Sequence, residues 1–340
     1  MKARERRRAL LLAVFATWAV FTVSIASTSA ATPEFFKGVT VSCQTWGIEW
    51  QTPEMEKTLD ELNSLGVNSI AIHPYARIEE DGHVRYRQSL GTSHITTPIG
   101  WAHSRGMSTM LIPHIAYWGT KFSWRGEIDF ATPAEWDHFF DDYETWIVEM
   151  ARLAETTHAE LFCVGLEFSN AEKYEERWRK IIASVRRVYR GKVTYGANWN
   201  EYENVKFWDA LDYIGVLAYF PLTKTPDPSR ADIAAAWDKR CAELANFSTK
   251  HGKQFVFTEI GYNESARAAA EPWAFKTGGI NAAQIQARCI DVALSLPQKY
   301  PFLAGMFWWK WFAELPHHEE ENYRLQTPEI KALIAKHWSM

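Results

Sequence analysis

Eight short apolar runs between residues 39 and 311 constrain the fold of this chain more than any other feature. They are VTVSC (39–43), NSIAIHP (68–74), STMLIPHIAYW (108–118), AELFCVGLE (159–167), KVTYGANW (192–199), YIGVLAYF (213–220), KQFVFTE (253–259) and LAGMFWWKW (303–311). Segments of helical period separate most of them. After the third run, Trp136, Phe139, Phe140, Tyr143, Trp146, Ile147, Met150 and Leu153 recur at three- and four-residue steps, one apolar stripe. Trp178, Ile181, Ile182, Val185, Val188 and Tyr189 do the same after the fourth, with Gly191 as a stop. ADIAAAWDKRCAELANFSTKHG and INAAQIQARCIDVALSL follow the sixth and seventh runs, whereas the links after the second and fifth read as short or irregular. Continuous apolar strands separated by helices predict a parallel sheet covered by helices. Eight of them predict closure into an α/β fold of the (β/α)8 TIM-barrel type. A nucleotide-binding doubly wound sheet fits less well, because neither G-x-G-x-x-G after the first run nor a P-loop occurs.

The 340 residues suit one such barrel of about 250 residues with extras. A formal charge of −4 provides no basic field for nucleic acid. At the N-terminus, KARERRR precedes the apolar run ALLLAVFATWAVFTVSIAS and a small-residue site at Ala30 or Ala31. That order reads as a secretory signal over 1–30, with an uncleaved anchor as the alternative, since the run is long enough to span a bilayer. Residues 31–340 are then expected to form a single domain, secreted or periplasmic, and monomeric. Four cysteines do not make a disulfide scaffold; Cys43 and Cys163 read as core residues, and Cys241 with Cys289 could pair only if their helices are neighbours. Seventeen tryptophans are the oddity. Most must pack in the core, but an exported, acidic, tryptophan-rich chain also suits sugar binding, because pyranose rings present flat C–H faces to indoles.

Barrel chemistry sits at the C-terminal ends of the strands, and two runs end in glutamate: CVGLE at Glu167 and FVFTE at Glu259. Strict alternation puts Cys163, Gly165 and Glu167 on one face, and Phe255, Phe257 and Glu259 on one face of the seventh strand. With those faces in the lumen, small residues would oppose large ones and both carboxyls would emerge over the mouth. Two carboxyls facing across a cleft are the equipment for breaking a glycosidic bond. One, kept protonated, donates to the leaving oxygen; the other, ionised, attacks the anomeric carbon. Either glutamate alone would read equally well as a salt-bridge partner.

In order along the chain, GLE-F, ANW, YIGVLAYFPL, FTEIGY and GMFWWKW resemble glycoside hydrolase family 113, a β-mannanase-type family in the clan of (β/α)8 retaining glycosidases. The resemblance covers roughly residues 37–315. It implies a poly- or oligosaccharide substrate, most specifically β-1,4-mannan, with Glu167 as acid/base and Glu259 as nucleophile. Other β-glycans, and a non-catalytic sugar-binding barrel, are the competing readings. One position departs from the clan: its usual Asn before the acid/base, which binds the sugar 2-hydroxyl, is Leu166 here, with Asn198 or Asn170 as substitutes.

Further candidates surround the pair. Trp309, with Trp311 as rival, shares a face with Phe307, and the resemblance implies a tryptophan there as the floor under the sugar. Tyr219 and Tyr262 could hydrogen-bond Glu259 or the substrate, and Arg77 could hold Glu259 ionised. His114 and His73 end strands, where a cleft-lining and a structural role are both open; Trp46, Trp118 and Trp199 could form sugar platforms. HHEE (317–320) lacks the H-E-x-x-H spacing and reads as a solvated loop, so no metal and no cofactor is expected.

Overall fold

A computed structural model describes residues 33–313 and 323–339. The N-terminal segment and the HHEE run lie outside the described residues. Eleven strands follow in chain order: β1 Phe36–Ser42, β2 Ser69–Ile72, β3 Tyr75–Ile78, β4 Val84–Arg85, β5 Ser108–Leu111, β6 His114–Ala116, β7 Leu161–Leu166, β8 Lys192–Asn198, β9 Ile214–Leu217, β10 Phe255–Ile260 and β11 Leu303–Phe312. Eight of them close a parallel barrel in the order β1-β11-β10-β9-β8-β7-β5-β2, the ring being completed where β1 pairs with both β2 and β11. The fold is a (β/α)8 TIM barrel.

The second apolar run ends at a proline and the third divides at one. Pro74 and Pro113 lack the N–H that a continuing ladder needs. Beyond them the chain leaves the barrel as β3 and β6, which pair with each other and, through β3, with β4 in a three-stranded sheet over the mouth. That sheet becomes one wall of the site.

Seven helices are described: α1 Pro53–Ser64, α2 Ser93–Ser104, α3 Pro133–Thr157, α4 Glu175–Arg186, α5 Arg230–His251, α6 Ala282–Ser295 and α7 Pro328–Trp338. The predicted stripe of α3 is buried from Trp136 to Met150, and a capping box between Thr132 and Glu135 fixes its start. Helix α2 occupies the link expected to be irregular. SHITTPIGWAHS carries Pro98 and Gly100, which lower helix propensity, yet its His94, Ile95, Pro98, Ile99 and Ala102 are buried. Tertiary burial outweighs local preference there. The link after the fifth barrel strand holds only the single turn Trp208–Ala210.

Two cores result. The outer one, between strands and helices, contains Trp50, Trp146, Trp178, Trp208, Trp237, Trp308 and Trp311, all fully buried; each contributes roughly 1.5–3 kcal/mol of burial. The inner one fills the lumen with Phe36, Ala71, Met110, Leu161, Cys163, Leu166, Leu217, Val256 and Phe307. All four cysteines are free thiols. Among the described residues no helix is long and apolar enough to cross a membrane.

Candidate active site

Both glutamates reach the mouth through a break in their strand, not by simple alternation. In β7, Leu161 and Cys163 face the lumen while Phe162 and Val164 face the helices. The pairing with β8 then shifts between Cys163 and Leu166. Gly165 consequently faces outward, where a Cβ would meet Trp178 and Tyr195 at 2.8 Å, and Leu166 turns inward. Glu167 follows with φ 59°, a left-handed conformation rare for a residue with a side chain and typical of functional sites. In β10 the expected phase is reversed: Phe255 and Phe257 pack against the helices and Val256 lies in the lumen. A second register shift, between Phe257 and Glu259, returns the carboxylate to the cleft.

Arg125 joins the two. This guanidinium, from the turn after β6, donates to Glu167 Oε2 at 2.7 Å, to His114 Nδ1 at 3.0 Å and to the Ile115 carbonyl at 2.8 Å. Because arginine can only donate, His114 Nδ1 is the acceptor and Nε2 carries the proton. That Nε2 is buried, has no hydrogen-bond partner and lies 3.7 Å from Glu259 Oε1. From the other side the Tyr219 hydroxyl donates to Glu259 Oε2 at 2.9 Å. Glu259 is buried, and its pKa is pushed up to about 8 by that burial and by the charge of Glu167, against the pull of Arg125, the Tyr219 bond and Lys310. Burial acts against the charge of Arg125 too, but Glu167, Tyr75 and Glu259 outweigh it and raise its pKa. Burial drives His114 well below the usual imidazole range and His73 to about 3, so both are neutral near pH 7. The charge of Glu167 is thus one of the causes that favour the protonated form of Glu259.

Of the other sequence candidates, Trp309 lies at the mouth, its ring 5.3 Å from His73 and 5.9 Å from His114. Tyr75 links this centre to Trp46 at 6.1 Å and Trp118 at 5.1 Å, so both indoles sit on the same rim. Trp199 packs, like Trp309, against the inner cluster that holds Tyr219, and is stacked on Trp273. Asn198 is brought near the cleft but spends its amide on Ser169 and Glu201.

Three placements differ from the expectation. Trp311 does not share the face of Trp309: β1 pairs Val39 with Trp308 and Val41 with Trp311, so β11 holds an extra residue and Trp311 turns into the outer core. The Trp309–Lys310 peptide at that point is cis. Tyr262 is fully buried behind the strand against Trp308, because it follows the shift in β10. Arg77 is exposed over Trp46 and does not reach Glu259; the cation at the carboxylates is Arg125. Sequence reasoning missed Arg125, Tyr75 and Tyr323, whose ring packs on Tyr219 at 5.7 Å. Nothing local to SWRGEID marks its arginine, since the burial comes from β6 and β7.

A parallel barrel with two glutamates over its C-terminal mouth, flanked by neutral imidazoles and indoles, defines a glycoside hydrolase of the (β/α)8 class. The chain belongs to Glycoside Hydrolase Family 113, whose family model matches residues 39–326. Among solved structures it is similar to the GH113 β-mannanase AaManA from Alicyclobacillus acidocaldarius, in complex with ManMIm, with a TM-score of 0.78 and 27% identity over 92% of this chain and 99% of that one. A second GH113 β-1,4-mannanase, also a complex, gives 0.78 and 25% identity over 90% and 99%. A glycoside hydrolase family 5 mannosidase from Rhizomucor miehei shares the fold at a TM-score of 0.57 and 12% identity, over 91% and 95%. No protein of curated function matches the sequence.

Proposed function

We propose that this enzyme cleaves β-1,4-mannan by double displacement, with Glu259 as nucleophile and Glu167 as general acid and base. The observation that carries the assignment is the unequal surroundings of the two carboxyls. Glu259 is buried and accepts from the Tyr219 hydroxyl, which favours its ionised form at the moment of attack, and it faces the His114 Nε2 at 3.7 Å. Glu167, with a side chain 20% exposed, lies where a leaving oxygen and then a water can arrive.

At rest the burial of Glu259 and the ion pair of Glu167 with Arg125 favour the proton on Glu259. The working state needs it on Glu167. Moving one proton between the two leaves the charge of the pair unchanged, so no exchange with solvent is required. Glu259 then bonds to the anomeric carbon as Glu167 protonates the departing oxygen; Glu167 next takes a proton from water, which displaces Glu259. Trp309 serves as the floor under the reacting sugar. The same reading takes residues 31–340 as one exported catalytic unit. The family model and the two mannanase likenesses support mannan as the substrate.

Hydrolysis of a panel of mannans and glucans tests the substrate: manno-oligosaccharide products are expected, and release from another β-glycan alone would reassign it. Binding without release of reducing ends from any would make the barrel a sugar-binding protein. For the residues, Glu259→Ala should abolish turnover and yield a glycosyl azide of inverted configuration when azide is added. Glu167→Ala should lose about 10²–10⁴-fold and give the retained azide. The opposite pattern exchanges the two roles.

A further inference from the structure

The small sheet at the mouth runs outward from the reacting centre to two arginines that nothing in the cleavage reaction uses. Tyr75 and Arg77 alternate onto one face of β3, and the parallel pairing sets His114 beside Tyr75 and Ala116 beside Arg77. His114 is the imidazole at Glu259. Arg77 is therefore displaced from that centre by two residues of strand, about 7 Å, comparable to the repeat of a glycan chain. At this remove the Trp46 ring meets Tyr75 edge-on, with the guanidinium of Arg77 over it at 5.8 Å and that of Arg87 at 4.8 Å. Both arginines are exposed, and among the described residues neither has an ion pair, whereas the neighbouring Arg85 is paired with Glu79 at 3.5 Å.

Two like charges over one indole repel each other, and a guanidinium lying on a ring still offers its N–H edge. An anion between those edges would relieve the repulsion and accept charge-assisted hydrogen bonds. Room for one lies on the Arg87 side, since Arg77 does not line the neighbouring cavity. Trp46, Tyr75 and Arg87 also line a cavity of about 390 Å³; the carboxylate on its wall, Glu149, is already engaged by the Tyr86 hydroxyl.

We propose that Trp46, Arg77 and Arg87 form a subsite for an anionic group borne on the glycan, one or two units from the scissile bond. Trp46 stacks on the sugar ring, and the arginines take a carboxylate, as in a uronic acid, or a phosphate ester. The position of the subsite rests on the reading of Glu167 and Glu259 as the cleavage centre.

The test is calorimetric binding to the full-length Glu259→Gln protein, using paired oligosaccharides on a mannan and a xylan backbone. One of each pair is neutral and the other carries a single glucuronic acid; a third mannan ligand carries a phosphate monoester. The acidic member should bind at least about tenfold more tightly at low salt, lose that advantage at high salt, and lose it in Arg77→Gln/Arg87→Gln. The uronate and phosphate arms show which anion the subsite takes. Equal affinity for neutral and acidic partners, or a preference that survives the double substitution, overturns the proposal. An acid preference that holds while the wild-type enzyme leaves mannan intact removes the mannanase reading and keeps the subsite.

Discussion

Arg125 sets the electrostatics of the two carboxyls although it lies on neither of their strands. It touches Glu167 directly and faces Glu259 only through His114, so substitutions on either side should move Glu259 in opposite directions. Glu167→Gln removes the charge that helps raise it, and Glu259 should titrate below about 8. Arg125→Gln removes a charge that lowers it, and the titration should move up. Carboxyl-carbon NMR across pH 4–10 reads both; a Glu259 unmoved by Glu167→Gln would mean that burial alone sets its value. The alkaline limb of kcat/KM is expected near pH 8, where the proton held at Glu259 is lost. At this scale Glu167 and Glu259 were legible as candidates because each ends an apolar run, and Tyr219 because it lies one residue from the end of another. Arg125 was not, since a loop arginine looks the same in sequence whether it is solvated or buried.

The strands obey alternation along most of their length and break it beside the site. Shifts before Leu166, before Glu259 and between Trp308 and Trp311 each add a residue where a side chain has to be aimed into the cleft. A period-two reading therefore misplaces Gly165, Phe255, Phe257 and Trp311. The shift in β7 depends on Gly165, because its outward position presses the backbone against Trp178 and Tyr195. Gly165→Ala should lower stability by about 1–3 kcal/mol through that clash. Thermal unfolding measures the loss, and an unchanged Tm would show that the two rings can yield. If the shift itself is disturbed, Glu167 is re-aimed and kcat falls more than KM rises.

Across the molecule, two buried carboxyls tie stability to pH. Glu259 and Glu172, the latter buried and bonded to the Tyr195 hydroxyl at 2.9 Å, are both raised from 4.5 to about 8, burial being the main cause in each. The folded state holds more protons than the unfolded one between those values, so stability falls as pH rises through that window. Asp291 acts in the opposite sense. Its bonds to Arg230, His337 and Lys336 outweigh burial and hold it below 3.8, so its contribution is present above that pH and lost in stronger acid. Buried, neutral His73 and His114 act in the opposite sense below the ordinary imidazole pKa of 6.5, so the Tm should decline from about pH 7 to pH 8.5, and Glu172→Gln, which keeps the shape and removes the titration, should flatten part of that decline. A variant with the wild-type slope would show that Glu172 does not titrate in this range.

Sequence alone determined the ring of eight strands, the helices with a clear apolar stripe and the two glutamates at strand ends, because burial writes hydrophobic periodicity into the chain. Only the tertiary structure decided the small sheet over the mouth, the helix through Pro98, the phase of the last strand turns and the cation between the carboxyls. Those features depend on contacts between residues far apart in sequence, where a one-residue shift in pairing reverses which way every later side chain points.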